Sequence, residues 1–502
     1  MPKVLLPSRS ILSTASMPRG TLLRYSTVLI VLGIVGAAWA ATALFGNRGG
    51  YPDDQLQLPI DPALAKRGAY VAALADCVGC HSKPGGQPFT GGRAIVSPIG
   101  KIFTPNITPD KATGIGNYRY GDFERAVRRG ISPDGTTLYP VMPYPSYARL
   151  TDDDTQALYA YFMLDVKPVS VANRRAVIPW PLSMRWPVTY WRWFFAPSVQ
   201  PATDFKDPQL ARGAYLVEGP GHCGSCHTPK GFAMQEEARS DKDGPIYLSG
   251  GISGNRAAGN LRGDALTGLG AWTEDEIVNF LRTGDPVHPN AFVEMRAVVR
   301  HSTQFLTPAD LKAIAHYLKS QQPPMTHQNF TYEVAMANEL VGYNGSVRGA
   351  LDYMNNCSAC HIFSGKGSDK SIPSLAGSSL VLAKNPAPLL TLILEGSPRP
   401  QTLGSPIVAA MPGFVDQLND DDIAGLTTFI RSSWGNKAGA VTADQVARIR
   451  SKSAARRLAP DTSTRSLWGN QALFGQRIGH HAKHACETAR DCGESNRALE
   501  RI

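Results

Sequence analysis

Three copies of one cysteine–histidine pattern constrain this chain more than any other feature. They are Cys77-Val-Gly-Cys80-His81, Cys223-Gly-Ser-Cys226-His227 and Cys357-Ser-Ala-Cys360-His361. With 8 cysteines and 11 histidines in 502 residues, a single copy is expected by chance about 0.003 times. The repetition therefore reflects a chemical requirement that is met three times along the chain.

The spacing Cys-x-x-Cys-His is that of a c-type haem attachment site. Two thiols one helical turn apart can both add to the vinyl groups on one haem edge, and the adjacent histidine then lies under the iron as its proximal ligand. Structural zinc is the alternative, since paired cysteines and histidines also bind it. It is disfavoured because the pairs lie about 140 residues apart and each has its own histidine. We expect three covalently bound haem c groups, attached through Cys77, Cys80, Cys223, Cys226, Cys357 and Cys360, with His81, His227 and His361 as axial ligands.

The sequence around the motifs also repeats. Each motif follows a similar helical start, Arg67-Gly68-Ala69-Tyr70, Arg212-Gly213-Ala214-Tyr215 or Arg348-Gly349-Ala350-Leu351. Three downstream segments, 150–162, 306–318 and 418–430, align without gaps and have apolar residues at helical spacing. Each begins with a cap residue followed three positions later by an aspartate, which predicts a capping box. The pairs are Thr151 and Asp154, Thr307 and Asp310, and Asn419 and Asp422.

This arrangement predicts an all-α chain of three tandem class I cytochrome c domains, at 62–166, 206–322 and 340–437. Each has about 100 residues, an ordinary size for an independent domain. The linker 167–205 is rich in tryptophan and phenylalanine. Such a linker either docks at a membrane or a partner, or packs between domains. The basic tail 446–502 is expected to be disordered, although Cys486 and Cys492 leave a disulfide or a small metal site open.

The N-terminal segment 1–46 has the composition of an export signal. It contains four basic residues, no acidic residue, and an uncharged apolar run from 27 to 46. The run is long enough for an uncleaved membrane anchor, and Ala38-Trp39-Ala40 also resembles a cleavage site, so both alternatives stay open. In either case the positive end stays in the cytoplasm. The remainder of the chain is then expected on the periplasmic side of the inner membrane.

The distribution of charge excludes a nucleic-acid partner. The chain carries a formal net charge of +10, of which +4 lies in 1–46 and +5 in 441–502. Only +1 remains for residues 47–440. A nucleic-acid-binding domain needs a basic patch on its folded surface. The folded part of this chain has almost no surplus positive charge from which to build one.

Methionines in loops before the capped helices are candidate sixth ligands of the iron. Met142 and Met411 each precede a proline, which favours an extended backbone. Met295 is the equivalent in the second unit, with His301 or His288 as the alternative ligand. Met163 and Met354 lie on apolar helical faces and are expected in the core. Three irons with histidine and methionine ligands would be saturated, which suits electron transfer.

The sequence closely resembles the membrane-bound three-haem cytochrome c subunits of bacterial dehydrogenases that act on alcohols, gluconate, sugar alcohols or aldehydes. The resemblance covers about residues 60–445 and rests on the three motifs together with several longer segments. These are NITPDKATGIG at 106–116, DGTTLYPVMPYPSYARL at 134–150, RGAYLVEGPGHCGSCHTP at 212–229, HSTQFLT at 301–307 and FIRSSWGN at 429–436. It also implies Met142, Met295 and Met411 as distal ligands.

The resemblance implies a relay of electrons from a separate flavo-, quino- or molybdo-protein subunit to membrane ubiquinone or a terminal oxidase. The chain has no nucleotide-binding, zinc-protease or hydrolase motif, so we expect no catalytic residue on this subunit of an oxidoreductase complex. A multihaem enzyme such as a cytochrome c peroxidase, or a stand-alone electron carrier, are the alternatives.

Overall fold

A computed structural model describes residues 28–37, 39–41, 61–199, 205–253, 256–265, 267–284, 293–323, 330–343, 345–368, 372–397 and 410–457. This part of the chain is mostly helical. Its strands form two short antiparallel hairpins: Ala94–Ser97 with Gly100–Phe103, and Gly251–Ser253 with Arg256–Ala258. In the export segment, 28–37 and 39–41 are helical and the other residues lie outside the described ranges. Across the described residues, no helix is long and apolar enough to cross a membrane.

The helices follow the repeat seen in the sequence. Those of unit one are Pro62–Leu74, Cys77–Cys80, Tyr120–Glu124, a π-helical turn at Arg125–Arg129, Tyr144–Tyr147 and Asp152–Leu164; the linker adds Trp186–Phe195. Those of unit two are Pro208–Glu218, Gly224–His227, Glu274–Thr283, Val293–His301 and Pro308–Ser320, with 3₁₀ turns at Asp241–Asp243 and Thr303–Phe305. Those of unit three are Ala335–Val341, Ala350–Asn356, Ser358–His361, Ser379–Leu382, Ala387–Glu395 and Asp420–Ser432, followed by Ala443–Arg457.

In each unit an opening helix before the motif crosses a closing helix near the end of the unit. The opening helices are Pro62–Leu74, Pro208–Glu218 and Ala350–Asn356, and the closing helices are Asp152–Leu164, Pro308–Ser320 and Asp420–Ser432. A glycine lies at each crossing. A Cβ on Gly68, Gly213 or Gly349 would overlap the carbonyl oxygen of Ala157, Ala313 or Gly425, respectively. The glycine of the repeated Arg-Gly-Ala start is therefore required because the two backbones touch.

The closing helices begin at the cap residues that the sequence predicts. The side chains of Thr151, Thr307 and Asn419 each accept a hydrogen bond from the amide three residues later, at 3.1, 3.2 and 2.9 Å. Only in unit three does the aspartate complete a box, where Asp422 accepts from the Asn419 amide at 3.1 Å. In units one and two the prediction of a box is wrong, because Asp154 and Asp310 bind an arginine and a tyrosine instead.

Three clusters of buried apolar side chains lie along the described chain, one for each repeat. They include Leu158 and Phe162 in unit one, Leu311 and Tyr317 in unit two, and Phe429 and Trp434 in unit three. Leu74, the last residue of the first opening helix, belongs to the cluster of unit two. Units one and two therefore share part of their core.

The linker helix Trp186–Phe195 contacts both neighbouring units. Thr189 lies 2.9 Å from the Thr137 hydroxyl of unit one, and the Trp191 indole donates to Ala233 O of unit two at 2.8 Å. These contacts favour packing between domains. The opposite side of the linker helix is exposed to solvent. Phe194 is 70% exposed, and Trp180, six residues before the helix, is 80% exposed.

The structure differs from the expectation for the tail at 446–457. Helix Ala443–Arg457 packs on unit three, where Val446 and Ser453 are buried. Arg450 holds it by donating to the Asp420 carboxylate at 2.6 Å and to Leu418 O at 2.8 Å. Disorder is therefore wrong for this stretch. The rest of the tail, with Cys486 and Cys492, lies outside the described residues.

The close helix crossing predicts an unusual response to alanine. Within a helix, alanine is normally more stable than glycine by about 1 kcal/mol. We expect Gly213→Ala to destabilise the protein instead, by about 1–3 kcal/mol, because the new methyl group forces two packed helices apart. Denaturant unfolding measures the change. Gly439→Ala is the control, since a Cβ there meets nothing within 4 Å. A Gly213→Ala protein as stable as the wild type would contradict the packing described.

Candidate haem-attachment sites

The three motifs form short helical turns with the same internal hydrogen bond. The amides of His81, His227 and His361 donate to the carbonyl of the first cysteine of their motif at 2.9, 3.0 and 2.9 Å. This bond closes one α-helical turn, which brings the two thiols of each motif to one side. None of the six motif cysteines is paired in a disulfide. Each turn therefore presents the two thiols and one imidazole that covalent attachment of a haem requires.

Each motif histidine also makes the same side-chain contact. The Nδ1 atoms of His81, His227 and His361 lie 2.9, 2.7 and 3.0 Å from the backbone carbonyl oxygens of Pro105, Gly259 and Pro373. A carbonyl oxygen can only accept, so Nδ1 carries the proton and Nε2 keeps its lone pair. Desolvation lowers the pKa of all three imidazoles, which keeps them neutral. A neutral imidazole held through Nδ1–H is the form that coordinates iron through Nε2.

The carbonyl partners explain part of the sequence repeat. Pro105 and Gly259 directly precede Asn106 and Asn260, the first residues of two segments that align between units one and two. The side-chain oxygens of both asparagines accept a hydrogen bond from the amide two residues later, at 2.9 Å in each case. The asparagine turn therefore holds the preceding carbonyl opposite the histidine.

Partial burial raises the pKa of four of the six motif thiols. Desolvation raises the pKa of Cys77, Cys223 and Cys357 to about 12 and that of Cys80 to about 11. At neutral pH these side chains are therefore thiols rather than thiolates.

Among the described residues, no group of three or more histidine, cysteine, aspartate or glutamate side chains is arranged to hold a metal ion.

The candidate distal methionines each pack against the core of their own unit. Met142, Met295 and Met411 are half-buried beside the clusters of units one, two and three. Met163 and Met354 contact the clusters of units one and three. Met142 and Met411 lie in loops as expected, but a loop is wrong for Met295, which lies in helix Val293–His301. Each candidate lies in the unit whose iron it would bind, and the role of distal ligand stays a prediction.

The structure describes only one of the two alternative ligands of unit two, His301. His301 is buried, and its Nε2 accepts a hydrogen bond from Arg300 Nε at 3.1 Å. Burial, together with Arg300 and Arg93, lowers the pKa of His301 to about 4. The Arg300 contact occupies Nε2, whereas Nδ1 is buried without a hydrogen-bond partner. His288 lies outside the described residues.

A set of contacts that the sequence analysis missed joins units one and two. Tyr70 of unit one donates its hydroxyl to Asp310 of unit two at 2.5 Å, and Tyr215 of unit two donates to Asp154 of unit one. Each aspartate also binds the arginine of its own opening helix. Arg67 Nη2 lies 2.7 Å from Asp154, and Arg212 donates twice to Asp310, at 2.8 Å each. The sequence feature that could have predicted these contacts is the tyrosine at the end of the repeated Arg-Gly-Ala-Tyr segment. The third unit has Leu351 at this position.

Further contacts between units one and two lie beside the motifs themselves. Ser302 of unit two donates its hydroxyl to Leu74 O, just before the first motif, at 3.1 Å. The ring of His222, the residue before Cys223, packs edge-on against Tyr147 of unit one with 5.7 Å between centroids. The first two attachment sites therefore lie next to the same interface.

Comparison with known proteins bears directly on these sites. The family model described as cytochrome c matches residues 65–164 and 346–434. The cytochrome c subunit of the quinone alcohol dehydrogenase of Gluconacetobacter polyoxogenes is 50% identical over 396 residues, which is 78% of this chain and 85% of that subunit. The gluconate 2-dehydrogenase cytochrome c subunit of Pantoea cypripedii is 48% identical over 406 residues, 79% of this chain and 91% of the relative. The fructose dehydrogenase cytochrome subunit of Gluconobacter japonicus is 37% identical over 407 residues, 76% and 82% of the two chains.

The chain belongs to the cytochrome c subunits of these dehydrogenases. The resemblance noted from the sequence is confirmed. Cytochrome c domains carry covalently bound haem c, and the residues of this cytochrome subunit fit that group. In each motif two thiols share one face of a helical turn, and an imidazole is held by Nδ1 with Nε2 available.

Proposed function

We propose that this cytochrome subunit is a three-haem electron relay. It would accept electrons from a separate catalytic dehydrogenase subunit and pass them to membrane ubiquinone or a terminal oxidase. The observation that carries the proposal is the histidine contact that recurs in all three motifs, 2.7–3.0 Å from Nδ1 to a backbone carbonyl. Three motifs whose histidines make the same Nδ1–carbonyl hydrogen bond favour three haems with the same type of proximal ligand.

The protein's contribution to such a relay is to hold and shield each redox group. A haem c supplies reversible one-electron oxidation and reduction of its iron. His81, His227 and His361 would be the proximal ligands, oriented by the carbonyls of Pro105, Gly259 and Pro373. The apolar cluster of each unit packs against the first cysteine of its motif. Such burial, together with hydrogen bonding, adjusts the potential of a haem.

Met142, Met295 and Met411 are proposed as the distal ligands. Each lies beside the core of the unit that carries the corresponding motif. For unit two, the Arg300–His301 hydrogen bond supports Met295 over His301. Irons with both axial positions filled by protein exchange electrons without binding substrate. This ligand set therefore favours a relay over a peroxidase.

The catalytic partner is proposed to be a dehydrogenase of the kind that the relatives serve. Those relatives are subunits of dehydrogenases for alcohols, gluconate and fructose. A flavo-, quino- or molybdo-protein supplies the two-electron oxidation of such a substrate, and the cytochrome would receive those electrons one at a time.

The periplasmic side of the inner membrane is proposed as the location. The one-sided basic charge of 1–46 supports this orientation. The helical residues of this segment are exposed and apolar, and Leu29, Ile30 and Ile34 are each more than 60% exposed. The ring of Trp39 stacks on Tyr190 of the linker helix, with centroids 5.1 Å apart. This contact places the apolar segment beside the exposed aromatic side of the linker, a combination suited to a membrane surface.

The number of haems follows from the three motifs. We expect the intact protein to carry three covalently bound haems, and each double variant C77S/C80S, C223S/C226S and C357S/C360S to carry two. Intact mass under denaturing conditions measures the count, because thioether bonds survive unfolding. A wild-type protein with two haems, or a double variant that keeps three, would contradict the assignment.

The distal ligand of unit one can be tested by carbon monoxide. Met142→Ala should open one ferrous iron to carbon monoxide and leave the other two unaffected, because the gas needs a vacant axial position. The readout is the change in the Soret absorbance on adding the gas to the reduced protein. Met163→Ala is the matched control, since Met163 packs against the same cluster. Absence of new binding in Met142→Ala would show that Met142 is not the ligand.

The relay itself is tested by purification of the solubilised complex. A tagged form of this chain should bring down a flavo-, quino- or molybdo-protein subunit, and addition of that subunit's substrate should reduce the haems. Isolation of the cytochrome alone from gently solubilised membranes would favour a stand-alone carrier.

A further inference from the structure

We propose that the exchange of tyrosine hydroxyls between units one and two positions their two haem sites as an electronically coupled pair. The four residues are Tyr70, Asp154, Tyr215 and Asp310, and we call this set the reciprocal clamp. The inference rests on the proposed function, because it requires a haem at each of the first two motifs.

The reciprocal clamp acts on the segments that lead into the motifs. Tyr70 lies on the opening helix that ends at Leu74, three residues before Cys77, and Tyr215 lies on the helix that ends at Glu218, five residues before Cys223. A change in how these helices meet would therefore move both attachment sites.

The clamp restrains the two units more strongly than a single contact would. Hydrogen bonds to a carboxylate are roughly twice as strong as those between neutral groups. Asp154 and Asp310 are buried, and each is already held by the arginine of its own unit. Because the two tyrosine bonds run in opposite directions between the units, together they restrain rotation of one unit against the other more than either bond alone.

Additional contacts bring the two attachment sites to this same interface. Arg149 of unit one pairs with buried Glu218 of unit two at 3.0 Å, and Ser302 binds Leu74 O at 3.1 Å. Helix Val293–His301 of unit two packs directly on Cys77–Cys80.

Unit three provides an internal comparison. Leu351 replaces the tyrosine and is 57% exposed, so this position has no hydroxyl to exchange. Arg348 pairs with Asp421 at 3.2 Å, both side chains being about three-quarters exposed, and Asp422 is used as a helix cap. The clamp is therefore a property of units one and two, and the coupling is expected between their haems.

The coupled step is the transfer of one electron. With a haem at each site, one iron would be oxidised from ferrous to ferric as the other is reduced from ferric to ferrous, with no bond formed or broken. The electron would enter from the catalytic subunit. The residues of the clamp lie outside the two motifs and join the opening and closing helices, so they are positioning residues.

The test uses circular dichroism in the Soret region on the full-length, haem-loaded protein. Two haems held at fixed distance and orientation add a paired positive and negative band to the signals of the separate haems. The added band is therefore read as the difference between the wild type and C223S/C226S, which lacks the second haem. We expect this paired band in the wild type and its loss in Y70F/Y215F, which removes both hydroxyls and keeps both rings. The single variant Tyr70→Phe, which retains the Tyr215–Asp154 bond, should show a reduced band. It also provides a measurable protein if the double variant does not fold.

Tyr332→Phe is the matched control. Tyr332 is half-buried like Tyr70, but its hydroxyl donates to Ser364 O within unit three at 3.0 Å. We expect its paired band to equal that of the wild type. A wild type without the band, a Y70F/Y215F protein with an unchanged band, or an equal loss in Tyr332→Phe would overturn the inference. Intact mass distinguishes failure of this inference from failure of the proposed function. A missing haem at either of the first two motifs would contradict the proposed function itself.

Discussion

The close crossing of the opening and closing helices is the contact on which the rest of the structure depends. It requires a glycine, Gly68 or Gly213 in the first two units, because the backbones meet with no room for a Cβ. The crossing brings the preceding arginine to the aspartate of the closing helix. It also fixes where the opening helix ends, and so where the thiols and histidine of the following motif lie. One packing constraint thus sets both the attachment site and the surface that joins units one and two.

Much of the candidate site could be predicted because its chemistry depends on local spacing. Two thiols and an imidazole within five residues share one helical turn in any helical context, and the cap residues Thr151 and Thr307 act on amides only three positions away. The carbonyl partners of the histidines could not be predicted, since they lie 24, 32 and 12 residues downstream. The aspartate boxes failed for a similar reason. Asp154 and Asp310 bind partners 87 and 98 residues away, and tertiary contacts of this kind override a local preference.

The repeat is therefore less uniform in three dimensions than along the sequence. Units one and two share an interface built from the tyrosine of their opening helices, and Leu74 of unit one packs in the core of unit two. In unit three, the space beside the closing helix is filled by helix Ala443–Arg457, which has no counterpart in the aligned segments. A single substitution, leucine for tyrosine at 351, marks this difference in the sequence. Disorder is expected for 446–457 from the basic composition of the tail. The burial that orders this helix depends on only a few side chains, such as Val446 and Ser453.

We propose that every haem iron on this chain would be an electron-transfer centre with both axial positions filled by protein. An electron paramagnetic resonance spectrum of the fully oxidised protein tests this proposal, because six-coordinate haems with histidine and methionine ligands are low-spin in the ferric state. We expect three low-spin ferric signals and no turnover of hydrogen peroxide. A high-spin ferric haem accompanied by peroxide turnover would contradict it and identify the chain as a multihaem enzyme.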